Sequence, residues 1–156
     1  MNNKKILNSF ILREILFPGE KQTEEGNFKL EAEVIEDLNT YEIMSWEKFE
    51  AGCCQIVEQI KASGKEYKNV LGIPRGGLIL AVRLSHLLSL PLVFSPDSLD
   101  SLKGTLVCDD VSDTGETLKD CLYDKVTLYI KPGTETMPEY YAFQTDKWIE
   151  FPWEKK

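Results

Sequence analysis

A chain of 156 residues with a hydrophobic fraction of 42% fits one soluble domain with a real core. No apolar run approaches the roughly 20 residues that span a bilayer, and a formal net charge of -8 argues against a surface that grips nucleic acid through its phosphates. That charge leaves open a phosphorylated small molecule held in a pocket.

In chain order, residues 4–17 read as a short helix closed by Pro18-Gly19. Arg13 and Glu14 break the apolar stretch and no small-residue cleavage site follows, so the start is not read as a signal peptide and the expected location is cytoplasmic. Residues 18–27 are a polar, turn-rich linker. "FKLEAEVIEDL" alternates apolar and charged residues at Phe28, Leu30, Ala32 and Val34, the pattern of a half-exposed strand. Residues 1–42 form an N-terminal extension in this reading, and 43–156 the main domain. Ser45 suits the N-cap of a helix whose buried face carries Trp46, Phe49, Cys53, Val57 and Ile60, with Gly64 as its stop.

Beyond that helix, short apolar strands alternate with helices. Strands are expected at 69–73, 91–94, 105–109 and 125–130, with a "PRGG" turn at 74–77. Helices are expected at 78–89, apolar nearly all round, and at 114–123. This alternation predicts an α/β fold, a mostly parallel twisted sheet flanked by helices. Ligands of such sheets bind at the C-terminal ends of the strands. Residues 74–77, 109–117 and 131 therefore share one rim.

The four cysteines, Cys53, Cys54, Cys108 and Cys121, form no C-x-x-C pair and no zinc spacing with the single histidine, His86. They read as small buried hydrophobes in a reducing compartment. His86 reads as structural or surface.

The rim carries the chemistry. In "TLVCDDVSDTGETLKD" a strand runs through a glycine turn into an expected helix. The backbone N–H groups of Ser112–Thr117 and the hydroxyls of Thr114 and Thr117 suit a phosphate, and Gly115 permits close approach. Asp109 and Asp110, at the expected strand end, suit sugar hydroxyls or a divalent metal. Phosphate, sugar and metal together suggest an activated sugar phosphate.

This stretch, Asp109-Asp110-Val111-Ser112-Asp113-Thr114-Gly115-Glu116-Thr117, resembles the phosphoribosyl pyrophosphate (PRPP) motif of type I phosphoribosyltransferases. "GIPRGGL", with Arg75, Gly76 and Gly77, resembles the family's pyrophosphate loop, which often holds a cis peptide not preceding proline; the matching bond here is Pro74–Arg75. "YIKP" and "DKWIEFPWEKK" resemble the base pocket of its 6-oxopurine members. The likeness spans residues 43–154, in the family's order.

The resemblance implies transfer of the 5-phosphoribosyl group from PRPP to N9 of guanine, xanthine or hypoxanthine, with release of pyrophosphate. It implies Mg²⁺ with Asp110 as protein ligand and Asp113 acting catalytically on the base N7. Arg75, Gly76, Gly77, Asp109, Asp110 and Ser112–Thr117 (with Glu116) would bind PRPP. Lys131 would donate to the purine O6, Trp148 would stack on the ring, and the backbone of Ile149 and Glu154 would face the 2-position. The family also implies a homo-oligomer, dimer or tetramer; neither nucleic acid nor membrane is expected as a partner. One departure stands out: family members carry a long mobile loop before the PRPP motif. Here only "SPDSLDSLKG", 95–104, joins the two strands, and Ser95, Ser98 and Ser101 have no tyrosine beside them. Segment 28–38 is a candidate replacement strand or cap. The short connection keeps two alternatives open, a non-catalytic PRPP- or nucleotide-binding module of this fold and a phosphoribosyltransferase for another base.

Overall fold

The computed structural model describes residues 40–94 and 103–154. Apart from residues 40–42, these belong to one compact unit, Ile43–Lys156. The elements expected at 4–17, 18–27 and 28–38, and the connection 95–102, lie outside the described residues. In order, the elements are β1 (Tyr41–Ile43), α1 (Trp46–Ser63), β2 (Asn69–Gly72), α2 (Gly76–Leu88), β3 (Leu92–Val93), β4 (Thr105–Ser112), β5 (Lys125–Ile130), β6 (Tyr140–Gln144) and β7 (Trp148–Glu150).

Local signals set α1. Ser45 is extended and its side chain accepts the Lys48 N–H at 3.1 Å. Gly64 ends the helix in the left-handed region, φ 68°, and gives its N–H to Lys61 O. The positions spaced by three and four, Phe49, Cys53, Ile56, Val57 and Ile60, are buried. At about 1.5–3 kcal/mol for each fully buried large apolar side chain, this face outweighs the helix's own propensity. Trp46, expected on that face, is exposed, its ring edge-on to Phe49.

Helix α2 starts two residues before the expected point, so Gly76 and Gly77 lie in its first turn. Only Gly77, Leu80, Ala81 and Leu84 are buried. The helix packs one face on β2 and β4, and Val82 stays in solvent, so it is not covered all round as its composition suggests.

Five strands form the main sheet in the order β3-β2-β4-β5-β6, and every neighbouring pair is parallel. Helix α1 lies over β5 and β6. Val70, Leu106, Leu128, Tyr129, Leu80 and Ile56 form the core between sheet and helices. Strand β7 belongs to a separate two-stranded sheet, and beside it Met44 N–H donates to Glu150 O. Cys53 and Cys108 are buried, and burial pushes both thiols up, so neither is an ionised nucleophile. Cys54 is exposed, unlike the expectation for all four, and His86, expected to be structural or surface, is exposed.

Two expectations about the central motif need correction. Strand β4 runs to Ser112, three residues past the expected end at 109, so Asp110 and Ser112 are strand residues as well as Asp109. The helix expected at 114–123 is absent; residues 113–120 are bends and turns. The Thr114 carbonyl, which a helix would offer to the Leu118 N–H, is taken by the Glu135 N–H at 3.0 Å. Leu118 N–H turns instead to Gly115 O, and Gly115 holds a left-handed φ of 89°. No helix dipole stands behind this loop.

Candidate active site

Parallel strands bring their C-terminal ends to one rim. Ile73 N–H donates to Cys108 O, Lys131 N–H to Ser112 O and Thr145 N–H to Ile130 O, which stitches the ends of β2, β4, β5 and β6 together. The peptide bond Pro74–Arg75, at the turn after β2, is cis. Arg75 is exposed there.

Close approach explains the two glycines after it. A Cβ on Gly77 would lie 2.3 Å from Cys108 O and 2.9 Å from Asp109 Cα. The first turn of α2 is thus pressed on the backbone of β4. A Cβ on Gly76 would lie 1.7 Å from Asp110 Oδ2. The Asp110 carboxylate therefore rests against the start of α2, where backbone N–H groups are unpaired by the helix.

Asp109 is 8% exposed, and Asp110 is partly buried beside it. Asp109 Oδ1 accepts the Asp110 N–H at 3.0 Å, and Asp110 Oδ1 accepts the Val111 N–H at 2.9 Å. Burial, then the neighbouring Asp110 charge, pushes the Asp109 carboxyl well above its ordinary value. Burial raises Asp110 too; its backbone hydrogen bonds oppose the rise and the Glu154 charge adds to it. Two carboxylates held this way gain from a cation or a hydroxyl donor.

After β4, residues 113–117 turn around a small cavity of ≈ 60 Å³, walled by Val111, Ser112, Asp113, Thr114, Gly115, Thr117 and Leu118. Among the described residues, the N–H groups of Asp113, Thr114, Gly115 and Thr117 donate to no backbone carbonyl. These four residues line the cavity, and no helix stands behind them. Asp113, Thr114, Glu116 and Thr117 are exposed. The Glu116 N–H reaches Thr114 Oγ1 at 3.3 Å. Ser112 lines the cavity, but its hydroxyl is committed to Thr134 and Thr136.

At the far side, Lys131 directly follows β5, and its ammonium donates to Lys147 O. Trp148, next in sequence to that carbonyl, is 64% exposed, while Ile149 is buried. Glu154 N–H donates to Phe151 O. The other tryptophan of the terminal run has a different task. Trp153 stacks on Phe151, centroids 4.7 Å apart and 13° between planes, and touches Phe49 and Trp46. It anchors the terminal run to α1.

The rim thus brings Gly76 to Asp110, Gly77 to Asp109 and Ser112 to Lys131. Thr134 and Thr136, not among the residues expected at the site, both bind Ser112, and Thr136 covers Gly115. Their signal is a Thr-x-Thr after Pro132-Gly133, directly past a rim strand.

Among the described residues no three His, Cys, Asp or Glu side chains could hold a metal ion by themselves, and no helix is long and apolar enough to cross a membrane. No family model matches the chain. The xanthine-guanine phosphoribosyltransferase of Idiomarina loihiensis is 30% identical over 139 residues, covering 71% of this chain and 85% of that protein. The enzyme of the same name from Chromohalobacter salexigens is 29% identical, covering 71% and 82%. The crystal structure of a purine phosphoribosyltransferase from Pyrococcus horikoshii matches with a TM-score of 0.62 and 30% identity, over 75% of this chain and 95% of that one.

Proposed function

The chain belongs to the type I phosphoribosyltransferase family, and from that premise we propose that it moves the 5-phosphoribosyl group of PRPP to N9 of a 6-oxopurine. The observation that carries the proposal is the ≈ 60 Å³ cavity walled by Val111–Gly115, Thr117 and Leu118, which follows directly on buried Asp109 and partly buried Asp110 in the chain. A small donor-lined hollow suits a phosphate, and carboxylates beside it suit ribose hydroxyls.

In this reading the main chain of 113–117 and the hydroxyls of Thr114 and Thr117 bind the 5′-phosphate. Asp109 accepts from a ribose hydroxyl. Arg75 and the N–H groups at the start of α2 face the pyrophosphate. Asp113 accepts from or donates to N7 of the base. Lys131 exchanges its Lys147 carbonyl for the purine O6, and Trp148 stacks on the ring. Ile149 and Glu154 present backbone to the 2-position. Bond breaking at C1′ runs ahead of attack, so these groups act by positioning and by stabilising the departing negative charge.

The donor set fits Mg²⁺: two raised carboxyls, oxygen only, too few to cage an ion without substrate oxygens. Asp110 would hold it, with water and substrate oxygens, and when bound it supplies positive charge to the pyrophosphate.

Incubation with PRPP, Mg²⁺ and guanine, xanthine, hypoxanthine or adenine tests the reading. The expected result is nucleotide and pyrophosphate with the 6-oxopurines. Product with adenine alone would move the assignment to another base. The second reading, a PRPP- or nucleotide-binding module without turnover, is favoured by one fact: ten residues, 95–104, are all that lead into β4 where the family carries its long loop. Tight PRPP binding by calorimetry with no product from any base would select it.

A further inference from the structure

Ser112 closes β4 at a position where an apolar residue would be at home. It is 1% exposed, and the strand before it is apolar from Leu106 to Cys108. Its hydroxyl is nonetheless satisfied twice. Oγ lies 2.9 Å from Thr134 Oγ1 and donates to Thr136 O at 2.8 Å. Its carbonyl accepts the Lys131 N–H at 3.0 Å. One buried residue therefore holds both ends of the segment 131–136.

Two more ties join that segment to the turn at 113–117. Glu135 N–H donates to Thr114 O at 3.0 Å. Thr136 sits directly on Gly115, where an added Cβ would come within 2.6 Å of the Thr136 nitrogen. The cavity-forming turn and the segment that begins with Lys131 are thus one clamped unit, and Ser112 is its shared anchor.

We propose that Ser112 is a positioning residue: by locking segment 131–136 onto the phosphate turn, it fixes where Lys131 leaves the backbone and so how its ammonium meets the base. The inference rests on the transferase reading and goes beyond it, because it assigns Ser112 to the base end of the site. Lysine is a long, flexible donor, and an error of about 1 Å at its origin degrades its hydrogen bond to a substrate. Loosening the clamp weakens the base more than PRPP, because the PRPP donors lie on the turn that directly continues β4, whereas segment 131–136 meets that turn through these bonds.

The full-length chain carrying Ser112→Ala loses both hydroxyl bonds and keeps the carbonyl bond. The expected result is a KM for the 6-oxopurine raised roughly tenfold with PRPP affinity within about twofold, and amide exchange at residues 134–136 faster by a similar factor. Ser112→Thr, which retains the hydroxyl, restores both readouts. Thr134→Val breaks the contact from the other side and serves the same purpose if the threonine variant is poorly folded. In a Lys131→Met background, Ser112→Ala adds nothing further to the base KM. An unchanged base KM, equal loss of PRPP and base, or unchanged exchange overturns the proposal. If the native chain makes no nucleotide and binds no purine, the transferase reading falls. The clamp is then judged by exchange alone: acceleration in Ser112→Ala with recovery in Ser112→Thr upholds it, and no change rejects it.

Discussion

Gly76 and Gly77 are neighbours in one helical turn, yet alanine at each should fail differently. At Gly77 the new Cβ meets backbone: Cys108 O at 2.3 Å, Asp109 Cα at 2.9 Å and Cys108 C at 3.0 Å. None of these can rotate away, so α2 and β4 must separate by most of an ångström. Overpacking of this kind costs about 1–3 kcal/mol, and the upper end applies because the contact is backbone on backbone. For a unit of this size that is a fall in Tm of roughly 10–15 °C. At Gly76 the new Cβ meets only the Asp110 side chain, Oδ2 at 1.7 Å and Cγ at 2.3 Å. That carboxylate can swing aside, giving up its bond from the Val111 N–H, worth about 0.5–1.5 kcal/mol. Leaving a half-buried site for solvent offsets part of this, so Tm should move by only a few degrees. The displaced carboxylate, however, no longer serves the proposed cation. Differential scanning fluorimetry and calorimetry with PRPP and Mg²⁺ check the pair. The expected outcome is a stable Gly76→Ala that has lost at least tenfold in PRPP affinity, and a Gly77→Ala that melts early. The reasoning is refuted if both variants melt alike, or if Gly76→Ala binds PRPP normally.

Other outcomes follow from single groups. Burial raises the folded-state Asp109 carboxyl to about 7, against about 4 unfolded, so the folded state binds the proton more tightly. Its contribution is fully present below about pH 4 and is lost as pH rises toward about 7; Asp109→Asn should flatten this part of the Tm–pH curve, and an unaltered slope would count against the burial argument. Thr127 is fully buried and its hydroxyl has no partner among the described residues. Thr127→Val should therefore stabilise by about 1 kcal/mol in urea melts, whereas a destabilised variant would mean the hydroxyl is satisfied. Asp113→Asn should lower kcat at least tenfold while PRPP binding stays within about threefold; parallel loss of both would contradict a role toward the base. Trp148→Ala should raise the base KM roughly tenfold and leave PRPP binding alone, since the ring stands mostly in solvent.

Local chemistry is legible in the amino-acid sequence. The N-cap Ser45 and the stop at Gly64 act within four residues of themselves, so α1 can be read end to end. The parallel sheet follows from short apolar runs separated by helices, and the rim follows from the sheet. The motifs at 74–77 and 109–117 have to meet there, because parallel strands place their C-terminal ends together. Strands β6 and β7 are not among the expected strands, although Tyr140, Tyr141 and Phe143 are strong strand formers. Both are short and follow a turn-rich stretch, and the tryptophans of the terminal run point to ligand binding as readily as to a strand.

What the chain alone decided is the identity and order of the groups on the rim: glycines, carboxylates, hydroxyls, a lysine and an indole. What only the tertiary structure decided is how they are supported. Residues 114–123 have a helix's composition, but a carbonyl needed by that helix is claimed by Glu135, from the segment beyond β5. The raised Asp109 carboxyl likewise depends on burial under α2, and the clamp at Ser112 on a segment that follows the next strand. Propensity and capping act along a few residues of chain, whereas competition for a hydrogen-bond acceptor, burial of charge and steric contact are settled between segments brought together by folding.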